Sequence, residues 1–208
     1  MEETKRRRFI IRAVLEGEVD VQEEPQPVIP ALFNWNFTDG LVDSVQGITA
    51  TLGEGATISS AGLSLNGTNS QTMLADIGGL DQYTIEVDIT SITFPFSGKN
   101  TIFGVNAPSA DYRRWLVWSI TDGMWELRGY GGSFYKFTEL MDREVFFGKT
   151  LKLQVDTVNH QSSIFADGQL LQTISIDSAG VQASQTVYLG SAWTTALITG
   201  CRIYEGLV

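Results

Sequence analysis

A chain of 208 residues has room for one ordinary domain with an appendage, or for two small domains. Its formal net charge of −10 argues against nucleic acid as the main partner, because phosphate binding needs a basic face. The single cysteine, Cys201, cannot form an internal disulfide, and no stretch is long and apolar enough to span a membrane.

Residues 1–30 differ in composition from the rest. Lys5-Arg6-Arg7-Arg8 is a basic cluster, and Phe9-Ile10-Ile11-Arg12-Ala13-Val14-Leu15 can form one strand. An acidic run through Glu16, Glu18, Asp20, Glu23 and Glu24 follows, and Pro25, Pro27 and Pro30 stiffen the connector. Arg12 and the acidic run interrupt what would otherwise resemble a secretory leader. The expectation is a chain that works inside a cell or leaves by another route. A lone strand with apolar residues on both sides lacks partners in water. Residues 1–30 are therefore expected to be an anchor arm. Arg6, Arg7, Arg8, Phe9 and Ile11 would dock it on another subunit by adding to a sheet edge.

The remainder, 31–208, is rich in glycine and poor in proline, with strand-forming residues spread evenly, as in an all-β sandwich. Short strands are expected at Leu32–Phe37, Ile48–Leu52, Thr57–Ser59 and Leu63–Leu65. In Thr84–Ile92, Tyr83, Ile85, Val87 and Ile89 alternate with Thr84, Glu86, Asp88 and Thr90, the pattern of a long strand with one dry face. Thr101–Val105 is a strand. Trp115–Ile120 and Met124–Tyr130 form a hairpin across Thr121-Asp122-Gly123, and Phe134–Phe137 is another strand. No helix longer than a turn or two is expected, and Glu139–Glu144 is where one best fits.

From Leu151 to Ile176 the chain alternates strongly. Leu151, Leu153 and Val155 share one face, Asn159-His160 supplies a turn, and Ser163–Ala166 returns. Asp167-Gly168 then suits a two-residue turn with positive φ. Val187–Leu189 and Ile198–Tyr204 close the sheet, with Cys201 expected to be a buried, inert thiol.

The hairpin with its Asp167-Gly168 turn resembles the most recognisable part of laminin-G-like domains of the concanavalin A-like lectin/glucanase superfamily. Four other pieces are similar to that family in the same order: Leu32–Phe37 with Asp39-Gly40, Leu63–Gly67, Tyr83–Ile89, and Val187–Gly190 with Arg202-Ile203-Tyr204. The resemblance implies an antiparallel β-sandwich jelly roll across 31–208, with the N-terminal arm outside it. Such a fold hosts lectins, hydrolases and adhesion modules alike, so function has to be read from sites.

Laminarinase- and lichenase-type hydrolases of that superfamily carry E-h-D-h-x-E on a strand. Alternation is expected to put the nucleophile and the general acid/base on one face. Here Glu86 and Asp88 match, but Ser91 stands at the acid/base position, and a serine cannot protonate a leaving sugar oxygen. The chain is therefore expected not to be an enzyme. His160, the only histidine, has no partners at metal-ligand spacing and reads as a turn residue. Family members often hold calcium through loop carboxylates, which makes Asp39, Asp43 and Asp76 the candidate ligands. No other cofactor is implied. If Leu116, Trp118, Trp125 and Leu127 face the core, alternation gives the other face Trp115, Glu126, Arg128 and Tyr130. With Trp193 from a separate loop, these are the candidate glycan-binding residues.

The expected function is a non-enzymatic virion structural protein: a bacteriophage head decoration, head-fibre or tail component, assembled in the host cytoplasm. Its partners would be other virion subunits, in a homo-oligomer, and a cell-surface glycan, with neither nucleic acid nor membrane. The alternative is a carbohydrate-binding module of a bacterial surface system, followed by a glycoside hydrolase.

Overall fold

The computed structural model describes residues 29–67, 70–93, 99–106, 114–119, 123–128, 134–140, 142–176, 184–190 and 194–208. The arm residues Arg6, Arg7, Arg8, Phe9 and Ile11 lie outside this set, as do Tyr130 and Trp193.

Among the described residues, fourteen strands build two antiparallel sheets. In chain order they are β1 (Phe33–Asn36), β2 (Ala56–Ser59), β3 (Gly62–Asn66), β4 (Thr72–Asp76), β5 (Gln82–Thr93), β6 (Lys99–Asn106) and β7 (Arg114–Ser119). There follow β8 (Met124–Arg128), β9 (Phe134–Phe137), β10 (Lys149–Asp156), β11 (Gln161–Ala166), β12 (Gln169–Ser175), β13 (Thr186–Leu189) and β14 (Thr195–Glu205). The larger sheet runs β12-β11-β10-β5-β14-β3-β2, with β1 also paired to β14. The smaller runs β4-β13-β6-β7-β8-β9. The result is the all-β, antiparallel jelly-roll sandwich that the sequence implies.

Alternation explains which face each strand buries. In β5, Tyr83, Ile85, Val87 and Ile89 are all buried against the core, while Glu86 and Asp88 point the other way. Leu151, Leu153 and Val155 of β10 and Cys201 and Ile203 of β14 flank them on the same inner face. The smaller sheet answers with Phe103, Leu116, Trp125, Leu127, Phe137 and Val187. Phe33 and Trp35 stack along β1, their ring centroids 5.6 Å apart and their planes at 16°. Thr84 is buried although it lies on the outer face of β5, because residues 206–208 fold back over it: its Oγ1 donates to Gly206 O at 2.9 Å and accepts from Val208 N at 3.3 Å.

Three expectations need correction. Ile48–Leu52 is not a strand; only isolated bridges at Thr49 and Thr51 pair it with its surroundings. β4, which was not anticipated, is a short edge strand, and only Met73 and Asp76 of its five residues face solvent. Among the described residues, 139–140 and 142–144 form no helical turn. Successive turns occupy 143–148, with Val145 N donating to Asp142 O and Phe147 N to Glu144 O. Those turns drive Phe146 into the core, where it meets Trp125 edge-on at 5.0 Å.

Candidate functional site

The long-range organisation of the larger sheet gathers charge on its outer face. β5 lies between β10 and β14, and the register sets Glu86 opposite both Lys152 and Arg202. Arg202 Nε donates to Glu86 Oε2 at 2.9 Å, Nη1 to Asp88 Oδ2 at 2.9 Å and Nη2 to Asp88 Oδ1 at 2.8 Å. This is a two-pronged contact to one carboxylate and a single contact to the other, the geometry that a planar guanidinium fork favours. Tyr204 Oη donates to Glu86 Oε2 at 3.1 Å, Thr150 Oγ1 donates to Asp88 Oδ1 at 2.6 Å, and Lys152 Nζ lies 3.8 Å from Glu86.

Burial works against the charged guanidinium, but its hydrogen bonds to Asp88 and Glu86 outweigh that and hold the Arg202 pKa above its usual range. The Tyr204 phenol is pushed up by burial first and by the Glu86 carboxylate second. Behind this face, the Cys201 thiol is fully buried and its pKa raised by desolvation, so it is the inert cysteine the sequence suggests.

Beside the network lies a cleft of about 330 Å³, lined by Asn34, Trp35, Asn36, Asp88, Thr199, Gly200 and Arg202. It opens where β1 and β3 succeed each other along the same side of β14. Gly200 is required there: a Cβ would stand 2.5 Å from Asp88 Oδ2 and 3.4 Å from Trp35 O. Its bare backbone lets the Asp88 carboxylate lie across β14 and reach Arg202. The Trp35 indole is buried on the core side, so it gives the cleft no exposed ring. Asn36 is engaged locally, donating from Nδ2 to Asp39 and accepting from Thr38. The Asn34 backbone ties β1 to the Asp43 turn, its N donating to Asp43 Oδ1 and its O accepting from Ser44. Its side-chain amide makes no hydrogen bond among the described residues.

The hydrolase comparison changes in one respect. Strict alternation would put Glu86 and Ser91, five positions apart, on opposite faces. The pairing of β5 with β14 shifts between Ser91 and Ile89, leaving Thr90 as an extra residue, and both Thr90 and Ser91 are exposed. A bulge, not alternation, therefore returns Ser91 to the outer face that carries Glu86. The side chain there is a hydroxyl, and Glu86 itself is held by Arg202 and Tyr204.

The aromatic face expected on the middle hairpin is less open than the sequence suggests. β7 and β8 pair in the anticipated register, Leu116 opposite Leu127 and Trp118 opposite Trp125, with Leu116, Trp125 and Leu127 buried. Glu126, however, is only 1% exposed, so it does not sit on an open platform. The backbones of Trp115 and Arg128 face each other across the hairpin; their side chains lie outside the description.

Asp39, Asp43 and Asp76 serve separate turns. Asp43 accepts from the backbone N of Asn34, Val45 and Gln46. Asp76 accepts from Gly78 N, Gln185 N and Ser184 Oγ. Asp39 accepts from Asn36. Among the described residues no three His, Cys, Asp or Glu side chains come together at ligand spacing, so the calcium expectation finds no assembled donor set there.

No sequence family model matches this chain, and no curated protein matches it. Its fold does match solved structures. A botulinum neurotoxin type C structure superposes with a TM-score of 0.62 at 11% identity, over 87% of this chain and 48% of that one. Access of that toxin to cells is dependent upon interaction with two ganglioside molecules. The botulinum neurotoxin serotype D binding domain gives 0.58 at 13%, over 86% and 49%. The potassium-bound carbohydrate recognition domain of Emp46p gives 0.50 at 16%, over 76% and 89%. This chain thus spans about half the length of the neurotoxin structures. At such identities the likeness shows the fold alone, an antiparallel β-sandwich.

The site that the sequence missed is the one held by Arg202. Glu86 and Asp88 stand two apart on a central strand, and Lys152 and Arg202 lie singly within apolar runs of two other strands. Acids at i and i+2 on a strand call for cations on its neighbours. That signal is present, but it cannot be used until the strand order is known.

Proposed function

We propose that this chain is a non-catalytic carbohydrate-binding β-sandwich, and that its ligand cleft is the one between β1, β5 and β14. The observation that carries the reading is the cleft itself. It is a small polar concavity walled by an uncommitted Asn34 amide, the Thr199 hydroxyl and the Asp88–Arg202 pair, near the lower end of the size range of small-molecule sites. The likeness to the carbohydrate recognition domain of Emp46p and to a ganglioside-dependent neurotoxin supports the same reading. The absence of catalysis is argued from the pair that hydrolysis needs: Glu86 is tied to Arg202, and Ser91 offers no acid. The test is binding of the full chain to an immobilised glycan panel, with turnover of laminarin and lichenan measured alongside. Specific retention without turnover is expected. Turnover abolished by Glu86→Gln would overturn the non-catalytic part, and a panel with no binding would overturn the whole.

A finer reading concerns where the domain is displayed. The basic cluster Arg6-Arg7-Arg8 beside the alternating Phe9–Leu15 segment favours docking on other subunits, in the manner of a virion protein of laminin-G-like type presented through residues 1–30. Size-exclusion chromatography of the full chain and of a Δ1–30 variant tests it. Assembly by the full chain alone is expected, and equal assembly by both would overturn it.

A further inference from the structure

We infer that the cleft selects uncharged sugar residues and rejects sialylated, sulfated or uronic ones. The inference rests on the carbohydrate-binding reading and narrows its ligand class.

The one cation in the cleft wall is Arg202, and it is already answered. A guanidinium has five N–H donors. Three of those on Arg202 go to Glu86 and Asp88, leaving two. An anionic group could take the two remaining donors, but the positive charge behind them is already balanced by two carboxylates, and displacing either would leave it without a counter-charge. It would also stand beside Asp88, which lines the cleft, and near Glu86, bound to the same guanidinium. The chain's net charge of −10 adds a repulsive long-range field.

An uncharged polyol meets no such barrier. The two remaining Arg202 donors can meet sugar oxygens. Asp88 has about four acceptor positions; three take Arg202 twice and Thr150 once, which leaves one for a sugar hydroxyl. The Asn34 amide adds both a donor and an acceptor, and it needs no internal bond broken to do so. Adjacent donors and acceptors without net charge suit a pair of neighbouring hydroxyls on one sugar ring. Because Trp35 is turned into the core, recognition comes from these polar groups and not from ring stacking within the cleft.

The experiment uses the full chain on an immobilised panel of neutral glucose-, galactose- and mannose-based oligosaccharides, beside the same glycans capped with sialic acid or sulfate. Retained neutral glycans are followed by solution titration with wild type, Asn34→Ala and Gly200→Ala. The expected result is at least tenfold tighter binding of a neutral glycan than of its capped form. Asn34→Ala should lose at least tenfold in affinity with little change in melting temperature, because its side-chain amide makes no hydrogen bond among the described residues. Equal or tighter binding of the capped glycans would overturn the selectivity while leaving a carbohydrate-binding protein. Neutral binding undiminished in both variants would move the site elsewhere and overturn the inference. No binding to any member would overturn the underlying reading as well.

Discussion

The β10–β11–β12 hairpins and the cleft between β1, β5 and β14 both depend on aspartates, but those aspartates find their partners over different lengths of chain. In the hairpins, Asp156 accepts from Val158 N at 3.0 Å, Asn159 N at 2.9 Å and Asn159 Nδ2 at 2.7 Å, all within three residues, with one further side-chain contact from Gln82 on the adjacent β5. Asp167 adopts φ 48° and Gly168 φ 78°, closing a two-residue turn between Ala166 and Gln169. In the cleft, Asp88 meets Arg202 from 114 positions away and Thr150 from 62. The short-range contacts of these carboxylates fix individual turns. The distant pair exists only when three strands are in register, so it reports on the whole sheet.

The largest effect should therefore come from the distant pair. Arg202→Met leaves Glu86 and Asp88 facing each other with no guanidinium between them, at side-chain exposures of only 17% and 27%. Breaking a buried pair costs about 3–5 kcal/mol, and partial exposure reduces this to roughly 2–4 kcal/mol. Urea unfolding measures it. The Arg202→Met, Asp88→Asn double variant should be less destabilised than the sum of the singles, since the two residues share one network. Simple additivity would show that the ion pair is a surface ornament.

On the hairpin side, Gly168→Val should cost about 1–3 kcal/mol through backbone strain at positive φ. A Cβ at Gly168 meets nothing within 4 Å, so no clash contributes. An unchanged melting temperature would show that the turn relaxes to another type. Gly200→Ala makes the opposite test, because there no positive φ is involved and the Cβ meets Asp88 Oδ2. It should cost about 1–2 kcal/mol as overpacking. The loss should shrink in an Asp88→Ala background, where the clashing carboxylate is gone.

What the sequence makes legible follows the same division. The Asp167-Gly168 turn, the His160 turn at φ 55° and the buried faces of β5 and β10 follow from neighbours two or three residues apart, and the structure has them. The cleft follows from β1 pairing with β14 across more than 160 positions, and its key permissive residue is Gly200, which looks like any other glycine in the sequence. Likewise, alternation correctly separates Trp125 and Leu127 from Glu126, but it cannot tell that Glu126 is buried as well. Ser91 reaches the outer face only because Thr90 is bulged, a register event no local pattern specifies.

The smallest effect is a pH dependence that belongs to the hairpins. Burial tends to raise the Asp156 pKa, but hydrogen bonds from Asn159, Gln82 and Val158 outweigh it and hold it below the ordinary value of 3.8. The folded state therefore binds that proton less readily than the unfolded chain. The resulting stability is fully present above about pH 4, the unfolded value, and is lost as pH falls through the lower folded value. Asp156→Asn keeps the Oδ1 acceptor for the two backbone donors but replaces the Oδ2 that takes Asn159 Nδ2 with a donor. It should cost about 0.5–1 kcal/mol at pH 7, as expected for one hydrogen bond. The gap between wild type and variant should narrow on acidification below pH 4. Arg202→Met supplies the contrast: it disturbs the separate Glu86–Asp88 network, so the Asp156→Asn difference should be the same in its background. If the two substitutions prove coupled in acid titrations followed by circular dichroism, the turn and the cleft form one electrostatic unit, and the division between local and distant carboxylates fails.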